Sequence, residues 1–67
     1  MKLEISDRGT GEERLIDSKI NGECNPEFYS EIRRLAGILG RPISEVQESL
    51  VCGNTYRTNG AFYVLID

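Results

Sequence analysis

The sequence predicts a small α+β domain in the order β-β-α-α-β-β, with a mostly antiparallel sheet and two short helices on one face. Three observations predict it. Met1, Leu3 and Ile5 alternate with Lys2, Glu4 and Ser6, the period of a strand with one wet face. Phe28, Ile32, Leu35, Ala36 and Leu39 form an apolar stripe at helical spacing. Near the end, Asn59-Gly60 sits between Tyr56-Arg57-Thr58 and Ala61-Phe62-Tyr63, the dipeptide best suited to a type I′ hairpin turn. The 67 residues are read as a single domain, 1–67.

After the first strand, Gly9 and Gly11 among polar residues mark a loop. Residues 13–20 are read as a second strand pairing with the first. Its alternation breaks at Leu15-Ile16, which a bulge or burial on both faces would explain. Asn21-Gly22 is a turn. Asn25 can cap the first helix, and Pro26 fits its first position because the missing N–H is not needed there. Gly40 ends that helix in a left-handed conformation. After Arg41-Pro42, Ser44 and Gln47 fit a capping box that opens the second helix, and Gly53 stops it. A two-residue turn at Asn59-Gly60 would set Tyr56 opposite Tyr63 and Arg57 opposite Phe62. The last strand, residues 61–66, is apolar at nearly every position. That pattern expects cover on both faces, in mid-sheet or at a dimer interface. The expected core joins Phe28, Ile32, Leu35, Leu39, Val46 and Leu50 to Leu3, Ile5, Ile20, Phe62, Val64 and Ile66.

A chain this short buries only about 60% of its unfolded surface, so a homodimer would supply missing burial. The net charge of −3 is uneven. Residues 1–32 hold four cations against eight carboxylates, a net −4. Residues 33–66 hold four cations against two carboxylates, a net +2, and Asp67 completes the total. An acidic chain argues against non-specific nucleic-acid binding. No apolar run of about 7–15 residues follows Met1-Lys2, so no signal peptide is expected. No stretch approaches the roughly 20 apolar residues of a membrane span. A cytoplasmic protein with reduced, partly buried Cys24 and Cys52 is the expectation, and a disulfide between the two is the open alternative.

The chain has no His, which removes the usual general base, the commonest metal ligand and the Ser-His and Cys-His nucleophile pairs. Two Cys alone do not complete a zinc site. Gly9-Thr10-Gly11 is too short for a phosphate loop. Glu27 and Glu31 read as a solvated helix face, and Cys24, before a helix start, as an inert small residue. The expectation is a non-enzyme without metal or cofactor.

One stretch carries a resemblance. Ala36, Gly40 and Val46 are spaced like the small residue, turn glycine and buried aliphatic of helix-turn-helix proteins. Residues 39–46, Leu-Gly-Arg-Pro-Ile-Ser-Glu-Val, also resemble the helix corner of ribbon-helix-helix repressors. The resemblance covers about 15 of the 67 residues. It implies a DNA-binding transcriptional regulator using the helix pair at 26–52, with Arg33, Arg34, Arg41 and Arg57 facing phosphates. Against it, Glu45 and Glu48 on the second helix would be repelled by them.

The preferred reading is a small protein-binding module: an inhibitor, adaptor or regulatory protein, of the kind viral and mobile elements use, acting through an acidic surface. Its candidate contacts are the acidic Glu12, Glu13 and Asp17 and the aromatic Tyr29, Tyr56 and Tyr63, since tyrosines often anchor interfaces. The expected partner is another protein. Nucleic acid is the lesser alternative, and no membrane is expected.

Overall fold

The computed structural model describes residues 1–66. It is an α+β fold whose elements follow the expected order, with one short hairpin inserted. Strands β1 (Lys2–Asp7) and β2 (Glu13–Asp17) form the first hairpin. A minor hairpin follows, β3 (Lys19–Ile20) and β4 (Glu23–Cys24). Helices α1 (Pro26–Leu39) and α2 (Ile43–Val51) come next, then β5 (Tyr56–Arg57) and β6 (Ala61–Ile66). The main sheet is antiparallel with order β2-β1-β6-β5, so the first and last long strands are its centre. The chain closes on itself through β1–β6 pairing, with Ile5 beside Tyr63 and Leu3 beside Leu65.

Local chemistry explains the boundaries. Asn25 Oδ1 accepts from the Glu27 N–H at 3.0 Å, and Pro26 occupies the first helical position. Asn25 also donates from Nδ2 to the Asp17 carbonyl at 2.8 Å, tying the end of β2 to the start of α1. Gly40, at φ 68°, ends α1, with Gly40 N–H on Gly37 O and Arg41 N–H on Ala36 O. Those two bonds are the Schellman pattern, and they need the left-handed residue that glycine supplies. Gly53, at φ 98°, ends α2 in the same way, with Asn54 N–H on Ser49 O.

Several expectations are corrected. The second strand splits at Ser18, and its remainder joins β3–β4 through Asn21-Gly22. Both residues of that turn have positive φ, 53° and 81°, so the type I′ turn is here. At Asn59-Gly60 neither residue has positive φ. There Thr58 closes the turn, its hydroxyl accepting from the Ala61 N–H at 3.0 Å and its N–H reaching Ala61 O at 2.8 Å. The expected pairing of Tyr56 with Tyr63 and Arg57 with Phe62 still holds, because loop length alone fixes it. Ser44 does not cap α2. The helix begins one residue earlier, after an extended Pro42 with ψ 143°, and no side chain caps it. There is no bulge at Leu15-Ile16, since the β1–β2 register is continuous from Lys2–Asp17 to Ser6–Glu13. Cys24 and Cys52 are free and exposed.

The core lies between the helices and one face of the sheet. Leu3, Ile5, Ile16 and Tyr63 meet Phe28, Ile32, Leu35, Ala36, Val46 and Leu50, with Leu39, Ala61 and Leu65 packed at the margin. On β6 the inward residues are thus Ala61, Tyr63 and Leu65. Phe62, Val64 and Ile66 fall on the other face, contrary to the expected core. Ile20 is exposed and its place is taken by Ile16. β6 is central in the sheet, as expected, but helices cover only one of its faces. Among the described residues no helix is long and apolar enough to cross a membrane.

Candidate protein-binding face

Strand alternation assigns every main-sheet residue to the helix side or to an open side. The register then builds the open side row by row. Asp17, Lys2 and Ile66 lie in one row; Leu15, Glu4 and Val64 in the next; Glu13, Ser6, Phe62 and Arg57 in the third. Leu15 is 59% exposed and Ile66 39%, while Phe62 and Val64 are half-buried. The Arg57 guanidinium lies over the Phe62 ring at 5.5 Å, a cation–π contact that covers part of it. The face therefore has an apolar band along β6, an isolated leucine on β2, three carboxylates at Glu4, Glu13 and Asp17, and two cations, Lys2 beside Asp17 and Arg57 beside Phe62. Phe62, Val64 and Ile66 thus lie outside the core that the sequence predicts, and Leu15 marks the open face of a regular strand rather than a bulge. Its signal was the apolar pair Leu15-Ile16, which must put one residue on each side of a regular strand.

The acidic candidates divide. Glu13 and Asp17 share the open face, whereas Glu12 turns to the helix side. There it lines a cleft of about 430 Å³ together with Asp7, Arg14, Glu31, Arg34 and Tyr63. Asp7 shapes the rim. Its Oδ1 accepts from the Gly9 and Thr10 N–H groups at 2.8 and 2.9 Å, and those bonds hold its carboxyl below the usual value.

The aromatic candidates are all on the helix side. Tyr29 is half-buried and edge-on to Phe28, with ring centroids 5.2 Å apart. Tyr56 is half-buried against the core. Tyr63, proposed from sequence as a surface anchor, is a core residue at 4% exposure. The arginines do not converge either. Arg34 Nη1 lies 4.0 Å from Glu31, Arg41 lies 3.6 Å from Glu45, and Arg33 is exposed. Arg57 is on the opposite face of the sheet from these three.

Glu27 and Glu31 are not a free carboxylate pair. Arg14, projecting from β2 to the helix side, reaches Glu27 Oε1 at 2.9 Å and Glu31 Oε2 at 3.1 Å. Glu31 is only 8% exposed, so it is not part of a solvated helix face. Charge-assisted bonds to Glu27 and then Glu31 raise the already high pKa of Arg14.

Burial, and then the Glu31 carboxylate, raise the Tyr63 phenol above its ordinary 10.0, with Arg34 and Arg14 opposing. The folded state therefore prefers the neutral phenol. Its contribution to stability is full below pH 10 and is lost as pH rises through the folded value. A ¹³C NMR titration should place the Tyr63 midpoint above 10.0, and Tyr63→Phe should flatten the alkaline loss of stability. A midpoint at or below 10.0 would contradict this placement.

Comparison with protein-family models, curated proteins and solved structures returns no match to this chain.

Proposed function

We propose that this chain is a non-enzymatic protein-binding module, an inhibitor, adaptor or regulatory protein, that docks a partner on the open face of its sheet. The observation that supports this reading is the set Leu15, Phe62, Val64 and Ile66 on the sheet face away from the helices, framed by Glu4, Glu13 and Asp17 together with Lys2 and Arg57. An apolar centre with a charged rim is the common anatomy of a protein interface. Small monomers have every reason to cover such a patch, because it is lost burial in a fold that has little to spare. The three carboxylates outnumber Lys2 and Arg57 on this face, and on the β2 side they favour a partner with a basic surface and speed its approach.

The test is capture of partners from native lysate after nuclease treatment, read by mass spectrometry. The double variant Glu13→Lys/Asp17→Lys should recover a nuclease-resistant partner about tenfold less well, the effect of about 1.4 kcal/mol. Glu12→Lys, also exposed but on the helix side, should leave recovery unchanged. Equal loss from both variants would mean bulk charge matters and the face does not. Recovery that vanishes with nuclease would move attention to nucleic acid and to Arg33, Arg34 and Arg41.

A further inference from the structure

The free edge of β2 carries an inference that rests on the protein-binding reading and makes its partner more specific. Ser18 N–H donates to Met1 O at 2.9 Å, and Asp7 N–H donates to Glu12 O at 2.7 Å. Those two bonds fix the phase of the β1–β2 ladder. By its period of two, Arg14 and Ile16 turn their backbone groups toward β1, and Glu13, Leu15 and Asp17 turn theirs away. β2 is an outer strand of the sheet, so these groups meet no other strand among the described residues. The Asp17 carbonyl is taken by Asn25. What remains along the edge is N–H and C=O at Glu13 and Leu15, and N–H at Asp17.

The side chains of the same three residues point to the open face in the order acid, leucine, acid. They decide what can pair there. Two copies of this chain, joined antiparallel about Leu15, would set Glu13 opposite Asp17 twice over. Like charges directly opposite destabilise a sheet, and edge charges commonly act to prevent such self-pairing. A foreign strand with a basic residue at each flanking position meets the opposite situation. Its central apolar residue would lie beside the exposed Leu15.

We infer that the β2 edge takes an extended segment of a partner protein as a fifth, antiparallel strand, and that this segment has the pattern basic–x–apolar–x–basic opposite Glu13, Leu15 and Asp17. The antiparallel sense follows its neighbours in the sheet and gives the residue opposite Leu15 two backbone bonds. Main-chain bonds supply the attachment, and the alternate side chains supply the choice of partner.

The test uses a capped peptide, Thr-Lys-Thr-Val-Thr-Lys-Thr, titrated into the ¹⁵N-labelled protein. The expected result is amide shifts concentrated at Glu13–Asp17 and slowed exchange of the Leu15 N–H. Replacing both lysines of the peptide by glutamate should weaken binding about tenfold or more. N-methylation of the central valine removes a backbone donor and should do the same. N-methylation of the threonine beside it, whose N–H would point away from β2, should be tolerated. No response to the lysine peptide overturns the inference, as does an equal response to the glutamate peptide. Undiminished binding by the valine-methylated peptide overturns it too. So do β2 shifts that grow with protein concentration alone, which would put a second copy on the edge. If the peptide fails while lysate capture still depends on Glu13 and Asp17, only the strand-pairing inference falls. If capture is indifferent to those residues, the protein-binding reading itself falls.

Discussion

Leu35→Ala is expected to lower the unfolding free energy by about 2–5 kcal/mol, the cost of a buried leucine plus the cavity left behind. Leu35 is fully buried on α1, among the residues that join the helix pair to the sheet. At roughly 0.05–0.15 kcal/mol per residue, a domain of this size holds only about 3–10 kcal/mol in total. The loss is therefore a large fraction of the total, and the urea midpoint should fall accordingly. Urea unfolding followed by far-ultraviolet circular dichroism reads it directly. A loss below about 1 kcal/mol would mean the helix–sheet core is not packed as described.

The neighbouring pair on β2 is expected to give the sharpest contrast. Ile16→Ala should cost about 2–4 kcal/mol, because Ile16 is 5% exposed in the core. Leu15→Ala should change stability by no more than about 0.5 kcal/mol, because its side chain stands on the open face. The two residues are adjacent and chemically alike, so only the strand register separates them. A one-residue slip would exchange their roles, since side chains alternate with period two. Equal losses at both positions would show that something covers the open face in the isolated protein.

These contrasts also show which parts of the fold were legible in the sequence. Asn25-Pro26 and Gly40 were readable because their roles depend on backbone chemistry within a few residues. The pairing of Tyr56 with Tyr63 was readable because a two-residue loop fixes it. β6 was not, because a run apolar at nearly every position has no period to say which residues face inward. Its parity is settled by pairing with β1, where Ile5 stands beside Tyr63. The two Asn-Gly turns show a similar limit. Both have the right residues, but only Asn21-Gly22 takes the mirror-image turn, while the Thr58 hydroxyl gives the second loop another closure.

The candidate site was legible in its charges and not in its apolar part. Glu13 and Asp17 could be named, yet Glu12, adjacent in sequence, faces the other way. Tyr63 has the composition of an interface anchor and the position of a core residue. Glu31 gave no sign of burial, because its partner Arg14 is distant in sequence and comes across from β2. What the sequence did hold was Leu15, an apolar residue out of step with its strand. In the folded chain it is the exposed leucine of the acidic edge.

The decisive measurement is methyl cross-saturation NMR on the complex with a nuclease-resistant partner recovered from lysate. Leu15, Val64 and Ile66 should lose intensity while Ile38, Ile43 and Val51, exposed on the helix side, do not. Attenuation confined to Ile38, Ile43 and Val51 would place the partner on the helices and contradict a binding role for the open sheet.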